Sequence, residues 1–270
     1  MKYSTYHAHT TYCDGKSTAE EMILSAIDKG CPEIGFSGHS PLPGLRWPMS
    51  EEDVGKYFHE IISLREKYKA RINVFVGIEQ DQESEMIDLP FDYVLGSTHA
   101  VNVLGRRIDV DGPIDFIKDS IKECFGGDPY AYCEAYYKKV ARIYEDTHCD
   151  IIGHFDLITK YIESDPIFSE SDTRYIKARD EALEALLETP AVFEVNTGAI
   201  SRGYRTTPYP NPYVLERIKA TGKPIVVNSD SHKSDTVAFL IEETAEKLVS
   251  KGFKCLTSLE EILSFSRGKF

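Results

Sequence analysis

The sequence has few cysteines and no long apolar run. Six cysteines occur among 270 residues, and none forms a Cys-x-x-Cys pair, so a disulfide scaffold is not expected and the thiols are predicted to be reduced. No uninterrupted apolar stretch approaches the roughly 20 residues of a membrane span, and the first residues lack the apolar core of a signal peptide. The sequence therefore predicts a cytoplasmic protein with no membrane partner.

Positive charge is also scarce. Lysine and arginine number 31 against 44 aspartate and glutamate residues, which gives a formal net charge of −13. Nucleic-acid binding normally uses a basic surface, so no nucleic-acid partner is expected. No linker, low-complexity tract or internal repeat divides the chain, and residues 1–270 are predicted to form one domain.

Short apolar runs alternate with helical patterns along the chain. The candidate strands are 3–7, 34–36, 72–78, 93–95, 150–152, 191–195 and 225–227. The candidate helices are 17–29, 50–69, 130–147, 172–188, 211–221 and 235–251. Several of these helices begin with a serine or threonine ahead of acidic residues, as N-caps do. This alternation predicts an α/β fold with a mainly parallel sheet.

Histidine and aspartate recur together just beyond the predicted strands. Three segments carry the pattern: His7-Ala8-His9 with Asp14, Gly153-His154-Phe155-Asp156, and Asn228-Ser229-Asp230-Ser231-His232. Imidazole and carboxylate are ligands for zinc, manganese and iron. With His39, Glu79 and His99 the set is too large for one ion, so a multinuclear metal centre is predicted. Side chains from so many strand ends converge only if those ends form a ring, which favours a barrel over an open sheet.

Other acidic and histidine residues have ordinary interpretations. His59 and His148 lie within helical patterns and are expected to pack or face solvent. The acidic residues 81–85 are expected to form a solvated loop, although one of them, or Asp156, is a candidate partner for a substrate amine. For residues 105–127 two interpretations stay open, a lid over the barrel mouth and a solvated connection.

Several motifs together resemble those of one family. They are His7-Ala8-His9-Thr10-Thr11-Tyr12-Cys13-Asp14-Gly15, Gly35-Phe36-Ser37-Gly38-His39-Ser40, Gly77-Ile78-Glu79, Gly96-Ser97-Thr98-His99, Ile152-Gly153-His154-Phe155-Asp156 and Asn228-Ser229-Asp230-Ser231-His232. In this order they resemble the PHP (polymerase and histidinol phosphatase) family. Glu194-Val195-Asn196-Thr197-Gly198, followed by Arg202, Arg205 and Pro208-Tyr209-Pro210, resembles its histidinol-phosphate phosphatase branch.

The resemblance implies a distorted (β/α)7 TIM-like barrel with the metal site at the C-terminal ends of the strands. It also implies three divalent ions (zinc, manganese or iron). By motif, His7, His9, Glu79 and Asp230 would hold the first ion, Glu79, His99 and His154 the second, and Asp14, His39 and His232 the third.

The implied activity is hydrolysis of a phosphate monoester by a metal-bridging hydroxide, with L-histidinol phosphate of histidine biosynthesis as the expected small substrate. Glu79, Asp230 and His232 are the expected catalytic residues. Arg202, Arg205 and Lys160 are candidate phosphate-binding residues, because guanidinium and ammonium groups suit phosphate oxygens. The alternatives are a PHP-type nuclease or nucleotide phosphatase and, from another class, a non-catalytic metal-binding protein. The sequence leaves the oligomeric state open.

Overall fold

Six parallel strands form a curled sheet in the computed structural model, which describes residues 2–268. They are β1 (Glu33–Phe36), β2 (Asn73–Asp81), β3 (Tyr93–Ser97), β6 (Ile151–Ile152), β7 (Val192–Asn196) and β8 (Ile225–Asn228), hydrogen-bonded in the order β1-β2-β3-β6-β7-β8. All six coincide with predicted strands, and every pairing between neighbours is parallel. The predicted α/β fold with a parallel sheet is therefore confirmed.

The N-terminal segment lies between the two outer strands of this sheet. Thr5 forms a parallel bridge to Ile34 of β1, and Ala8 forms one to Ser231, just beyond β8. The amide of His9 donates to the Ser231 carbonyl over 2.8 Å. The predicted strand at 3–7 is thus present as isolated bridges that connect the first and last strands.

Helices follow the strands along the chain. They are α1 (Ala19–Asp28), α2 (Glu51–Tyr68), α3 (Ile114–Cys124), α4 (Pro129–Val140), α5 (Ile143–Thr147), α6 (Thr173–Leu187), α7 (Gly198–Ser201), α8 (Pro212–Ala220), α9 (Ile241–Ser250) and α10 (Leu259–Ser266). The predicted N-caps are confirmed at Thr18, which forms a capping box with Glu21, and at Ser50. None of the helices in the described part of the chain is long and apolar enough to cross a membrane.

Several regions differ from the sequence prediction. The predicted helix 130–147 is divided into α4 and α5, and α10 was not predicted. The last helical pattern begins at Ile241 instead of residue 235, because Leu240 has a left-handed φ of 55° that a right-handed helix does not accommodate. Residues 105–127 contain two ordered elements, β5 (Arg106–Asp109) and α3. Strand β5 forms an antiparallel hairpin with β4 (Ala100–Val103), which comes just before this segment. The hairpin turns through Leu104 and Gly105, both with positive φ, which suits a two-residue turn between twisted strands.

Apolar side chains fill the interior of the curled sheet at the N-terminal ends of the strands. Tyr93 is buried there, and its hydroxyl donates to the carbonyls of Tyr6 (2.6 Å) and Phe36 (3.0 Å). Leu259 and Ile262 of α10 pack against the same cluster. This end of the sheet is therefore closed by packing, and the polar residues collect at the opposite end.

Candidate metal centre

All nine predicted ligands meet at the C-terminal ends of the parallel strands. They fall into four groups whose donor atoms lie within 4.8 Å of one another: His7, His9 and Asp230; His7, Glu79 and His154; His39, Glu79 and His99; and His9, Asp14, His39 and His232. His59 in α2 and His148 at the end of α5 are exposed and belong to none of these groups, as the sequence predicted.

Glu79 lies at the middle of the cluster and is fully buried. Its Oε2 is 2.8 Å from His39 Nδ1 and 3.3 Å from His7 Nε2. Its Oε1 is 3.0 Å from His154 Nε2 and 3.2 Å from His99 Nε2. Burial alone would raise the pKa of this carboxyl group, but the surrounding imidazoles outweigh burial and hold its pKa well below the ordinary value. Each oxygen of this anionic carboxylate therefore faces a different set of histidines, and Oε2 also lies 3.6 Å from His9 Nε2.

Asp230 closes the side of the cluster that faces the N-terminal segment. Its Oδ1 is 3.4 Å from His9 Nε2 and 3.7 Å from His7 Nε2. Its backbone is in the left-handed region, with φ of 46°, a conformation that aspartate adopts more readily than most residues and that often marks functional sites. Arg202 and His7 lower its pKa against the effect of burial, so Asp230 is also anionic.

Asp14 joins the outer group. Its Oδ2 lies 3.1 Å from His232 Nε2, and its Oδ1 lies 3.5 Å from His39 Nε2. Burial would raise the pKa of Asp14, but hydrogen bonding to His232 and the charges of His39 and His9 hold it below its ordinary range. Asp14 and His232 are partly exposed, so this group is the one nearest solvent.

Several of the nitrogen and oxygen atoms that could bind a metal ion are buried and make no hydrogen bond. They are His7 Nε2, His9 Nε2, Glu79 Oε2 and Asp14 Oδ1. Although imidazole nitrogens approach Glu79 Oε2 closely, none makes a hydrogen bond of acceptable geometry with it. Burying a polar atom without a hydrogen-bond partner costs free energy. An ion bound among these atoms would give each of them a partner. The set of imidazoles and carboxylates therefore fits zinc, manganese or iron.

The cluster opens into a cavity of about 870 Å³, a size that suits a small ligand. Lys160 and Arg202 lie in its wall, together with Trp47, Asp111 and Tyr209. Trp47, which the sequence prediction missed, sets its ring edge-on to His39 with 4.6 Å between centroids. Cationic and aromatic groups therefore face the same space as the metal-binding residues.

The two cavity cations are held differently. Arg202 donates through Nη2 to Asp230 Oδ2 and through Nη1 to the Asp230 carbonyl, both over 2.9 Å. Lys160 donates to the Asp111 carbonyl over 2.5 Å and lies 4.2 Å from the centre of the Tyr204 ring. Burial lowers the pKa of Lys160.

Arg205 and Asp156 lie outside the cavity lining. Arg205 is buried, donates to the hydroxyls of Thr159 and Thr207, and covers the ring of Tyr209. Asp156 is fully buried and accepts a hydrogen bond from the amide of Asn211 over 2.8 Å. Burial raises the pKa of Asp156 to about 6. Neither side chain is brought to the space where a substrate would bind.

Comparison with known proteins places this architecture in a family. Residues 5–198 match the PHP domain. The chain belongs to the PHP domain family. A Bacillus subtilis histidinol-phosphatase is 25% identical over 269 residues, covering 89% of this chain and 97% of the relative. A Deinococcus radiodurans protein named a probable histidinol-phosphatase is 25% identical over 265 residues, covering 93% of this chain and 94% of its own length.

A solved structure has the same fold as this PHP domain. Histidinol phosphate phosphatase from Lactococcus lactis, complexed with zinc, L-histidinol and phosphate, aligns with a TM-score of 0.71 at 22% identity. The alignment covers 94% of this chain and 95% of the other. The likeness supports an α/β fold built on a curled parallel sheet.

Two carboxylates behind the ligands of the PHP domain were not predicted. Glu194 Oε1 is 2.7 Å from His7 Nδ1, and Asp81 Oδ2 is 2.9 Å from His99 Nδ1. Because an ionised carboxylate only accepts hydrogen bonds, each histidine carries a proton on Nδ1 and directs Nε2 at the cluster, where it could bind a metal ion in its deprotonated form. The expected solvated loop is wrong for Asp81, which is 2% exposed. Asp81 follows Glu79 by two residues on β2, so both side chains lie on the same face of the strand. This spacing is visible in the sequence and could have predicted that Asp81 lies near the metal centre.

Proposed function

We propose that this protein is a metal-dependent phosphomonoesterase that hydrolyses L-histidinol phosphate to L-histidinol and phosphate in histidine biosynthesis. The observation that carries the proposal is the cluster around Glu79, which opens into one cavity with Lys160 and Arg202. The names of the relatives from Bacillus subtilis and Deinococcus radiodurans support the same activity. A site that joins metal ligands to cations suits a phosphate ester.

The converging donor atoms support three ion sites. In this assignment His7, His9, Glu79 and Asp230 form the first site, Glu79, His99 and His154 the second, and Asp14, His39 and His232 the third. Zinc, manganese or iron bound there would supply Lewis acidity and a nucleophile from water near neutral pH.

The side chains of the protein then have distinct tasks. Glu79 contributes to two sites, since its two oxygens face different histidines. Asp230 links the centre to Arg202, which holds it by two hydrogen bonds. Arg202 and Lys160 attract the phosphate and orient it. His232 is partly exposed in the cavity wall and would lie beside the reacting phosphate. Arg205 is omitted from the phosphate site because its guanidinium already donates a hydrogen bond to Thr159.

The same proposal covers the architecture. The bridges of Thr5 and Ala8 support counting the N-terminal segment as the seventh strand of a distorted (β/α)7 barrel. The continuous parallel sheet supports one phosphoesterase domain over residues 1–270. The barrel mouth then places every ligand at the C-terminal end of a strand or just beyond it.

Activity of metal-loaded protein tests the proposed function. Phosphate release from L-histidinol phosphate should be much faster than from p-nitrophenyl phosphate, and a chelator should abolish it. Preferential cleavage of single-stranded DNA or of nucleotides would replace the proposal with the nuclease alternative. Stoichiometric metal without turnover of any ester would support a binding protein instead.

Three variants separate metal binding from substrate binding. Glu79→Ala should lose bound metal and activity together, because two sites share this carboxylate. Arg202→Ala should chiefly raise KM. His59→Ala serves as the histidine control, since His59 is exposed in α2, and it should keep both metal and activity. A Glu79→Ala protein with full metal content and full activity would refute the assignment.

A further inference from the structure

Tyr209 is fixed with respect to the metal centre through its main chain. Its amide donates to the Asn196 carbonyl over 3.0 Å, and the Asn196 amide donates to the Tyr209 carbonyl over 2.8 Å. Asn196 ends β7, the strand whose Glu194 holds His7. The Asn196 side chain also reaches Asp230 Oδ2 over 3.2 Å. A displacement of Tyr209 would therefore also shift residues that contact the candidate ligands His7 and Asp230.

The side chain of Tyr209 is buried in the cavity wall without a partner for its hydroxyl group. The residue is 1% exposed and lines the same cavity as Lys160 and Arg202. The guanidinium of Arg205 covers its ring at 4.7 Å from the centroid, which fixes the orientation of the ring. Its hydroxyl makes no hydrogen bond within the described part of the chain. Since a buried unpaired hydroxyl is unfavourable, it calls for a partner that the chain itself does not provide.

The phenol can act only as a neutral donor or acceptor under ordinary conditions. Burial raises its pKa far above the ordinary value, with Arg205 opposing that rise and Asp156 adding to it. A protonated phenol donates most strongly to an anion. Among the ligands that this cavity suits, the phosphoryl group is the anion that Lys160 and Arg202 also attract.

We propose that the Tyr209 hydroxyl donates a hydrogen bond to a phosphoryl oxygen of the substrate and completes the phosphate subsite formed by Lys160 and Arg202. This inference rests on the proposed phosphatase function. A bound water molecule is the competing partner, because Arg205 Nε and Asp156 Oδ1 are also buried without hydrogen bonds. A water molecule joining these two atoms to the Tyr209 hydroxyl would give that group a structural role, and the experiment distinguishes the two.

Tyr209→Phe removes the hydroxyl and leaves the ring. Binding of inorganic phosphate and of L-histidinol to metal-loaded protein is measured by calorimetry, and KM is measured with L-histidinol phosphate. Loss of one hydrogen bond to a charged group should weaken phosphate binding and raise KM about tenfold to a hundredfold. L-histidinol lacks the phosphate, so its binding should stay at the wild-type value. Metal content should also stay unchanged.

Tyr132→Phe is the matched control. Tyr132 is likewise fully buried with an unpaired hydroxyl, but it does not line the cavity, so its variant should bind phosphate as the wild type does. Unchanged phosphate affinity in Tyr209→Phe with a lowered melting temperature would overturn the inference in favour of bridging water. Equal loss of phosphate and L-histidinol binding would overturn it as well. If wild-type protein binds phosphate but hydrolyses no ester, the proposed function fails while the phosphate comparison still tests Tyr209.

Discussion

Replacing Glu194 with glutamine tests whether the metal centre depends on a carboxylate behind its ligands. Glu194 is fully buried at the middle of β7. Its Oε1 accepts hydrogen bonds from His7 Nδ1 (2.7 Å) and Asn228 Nδ2 (3.0 Å). Its Oε2 accepts from the amide of His154 (2.8 Å) and from Asn196 Nδ2 (3.0 Å). Two donors therefore point at each oxygen, and the carboxylate binds all four of them.

A glutamine cannot satisfy this arrangement in either orientation. Its NH2 group faces two donors whichever oxygen it replaces, so two hydrogen bonds are lost. Each is worth about 1.5–3 kcal/mol when a charged group takes part, which places the loss of unfolding free energy at about 3–6 kcal/mol before the structure relaxes. Loss of a carboxylate behind a ligating histidine typically costs about tenfold to a hundredfold in metal affinity. We expect Glu194→Gln to show both effects.

Competition against a chelator measures the metal affinity, and chemical denaturation measures the stability. Asp150→Asn is the matched control, because each oxygen of the buried Asp150 carboxylate also accepts two hydrogen bonds. Ser266 Oγ and Arg267 Nε donate to Oδ1, and the Val94 amide and Arg267 Nη2 donate to Oδ2. Asp150 precedes β6, at the end of the sheet away from the ligands. Asp150→Asn should lower stability without weakening metal binding. Wild-type metal affinity in Glu194→Gln, or equal losses in both variants, would refute the reasoning.

Two further predictions concern the cavity. Phosphate inhibition of the wild type should weaken as pH rises through the pKa of Lys160, which burial lowers below 10.5, because only the ammonium form attracts phosphate. Lys160→Arg should keep its affinity to higher pH, since guanidinium stays charged; an identical alkaline decline in both proteins would contradict this. Gly198→Ala would place a Cβ 2.9 Å from both Arg202 Nη2 and Asp230 Oδ2, and the resulting displacement should lower kcat/KM about a hundredfold. Gly55→Ala is the control, because its Cβ would meet nothing within 4 Å; it should leave activity unchanged and raise the free energy of unfolding by about 0.5–1 kcal/mol. Full activity in Gly198→Ala would show that the close contact is unimportant.

The clustering of the candidate metal ligands was predictable because their positions repeat one simple relation between sequence and fold. His39, His99 and His154 each come within a few residues after the end of an apolar strand. In a parallel sheet those ends share one edge, so their proximity in space follows from the order of strands and helices. The same relation excluded His59 from the candidate ligands, because His59 lies inside a helical pattern and not after a strand.

The partners of charged side chains were not predictable in the same way. Strand alternation places Asp81 on the face of Glu79, but only the folded structure brings it to His99, which belongs to another segment. Arg205 shows the same limit of the sequence pattern. Its position in the loop after β7 suggested phosphate binding, yet Thr159, distant in sequence, accepts a hydrogen bond from its guanidinium. Such pairings depend on tertiary distances that a one-dimensional pattern does not contain.

Strand β7 contacts both the proposed metal centre and the proposed phosphate subsite. Glu194 on this strand orients His7 within the metal centre, whereas Asn196 at its end holds the main chain of Tyr209 beside the cavity cations. Residues on the strand are fixed by the sheet, and Tyr209 in the loop that follows is bound to the strand by its bridge to Asn196. Changes at Glu194 should therefore act on metal affinity, while changes at Tyr209 or Arg202 should act on phosphate affinity with the metals still bound. Measuring both affinities in each variant tests whether one strand serves two separable functions.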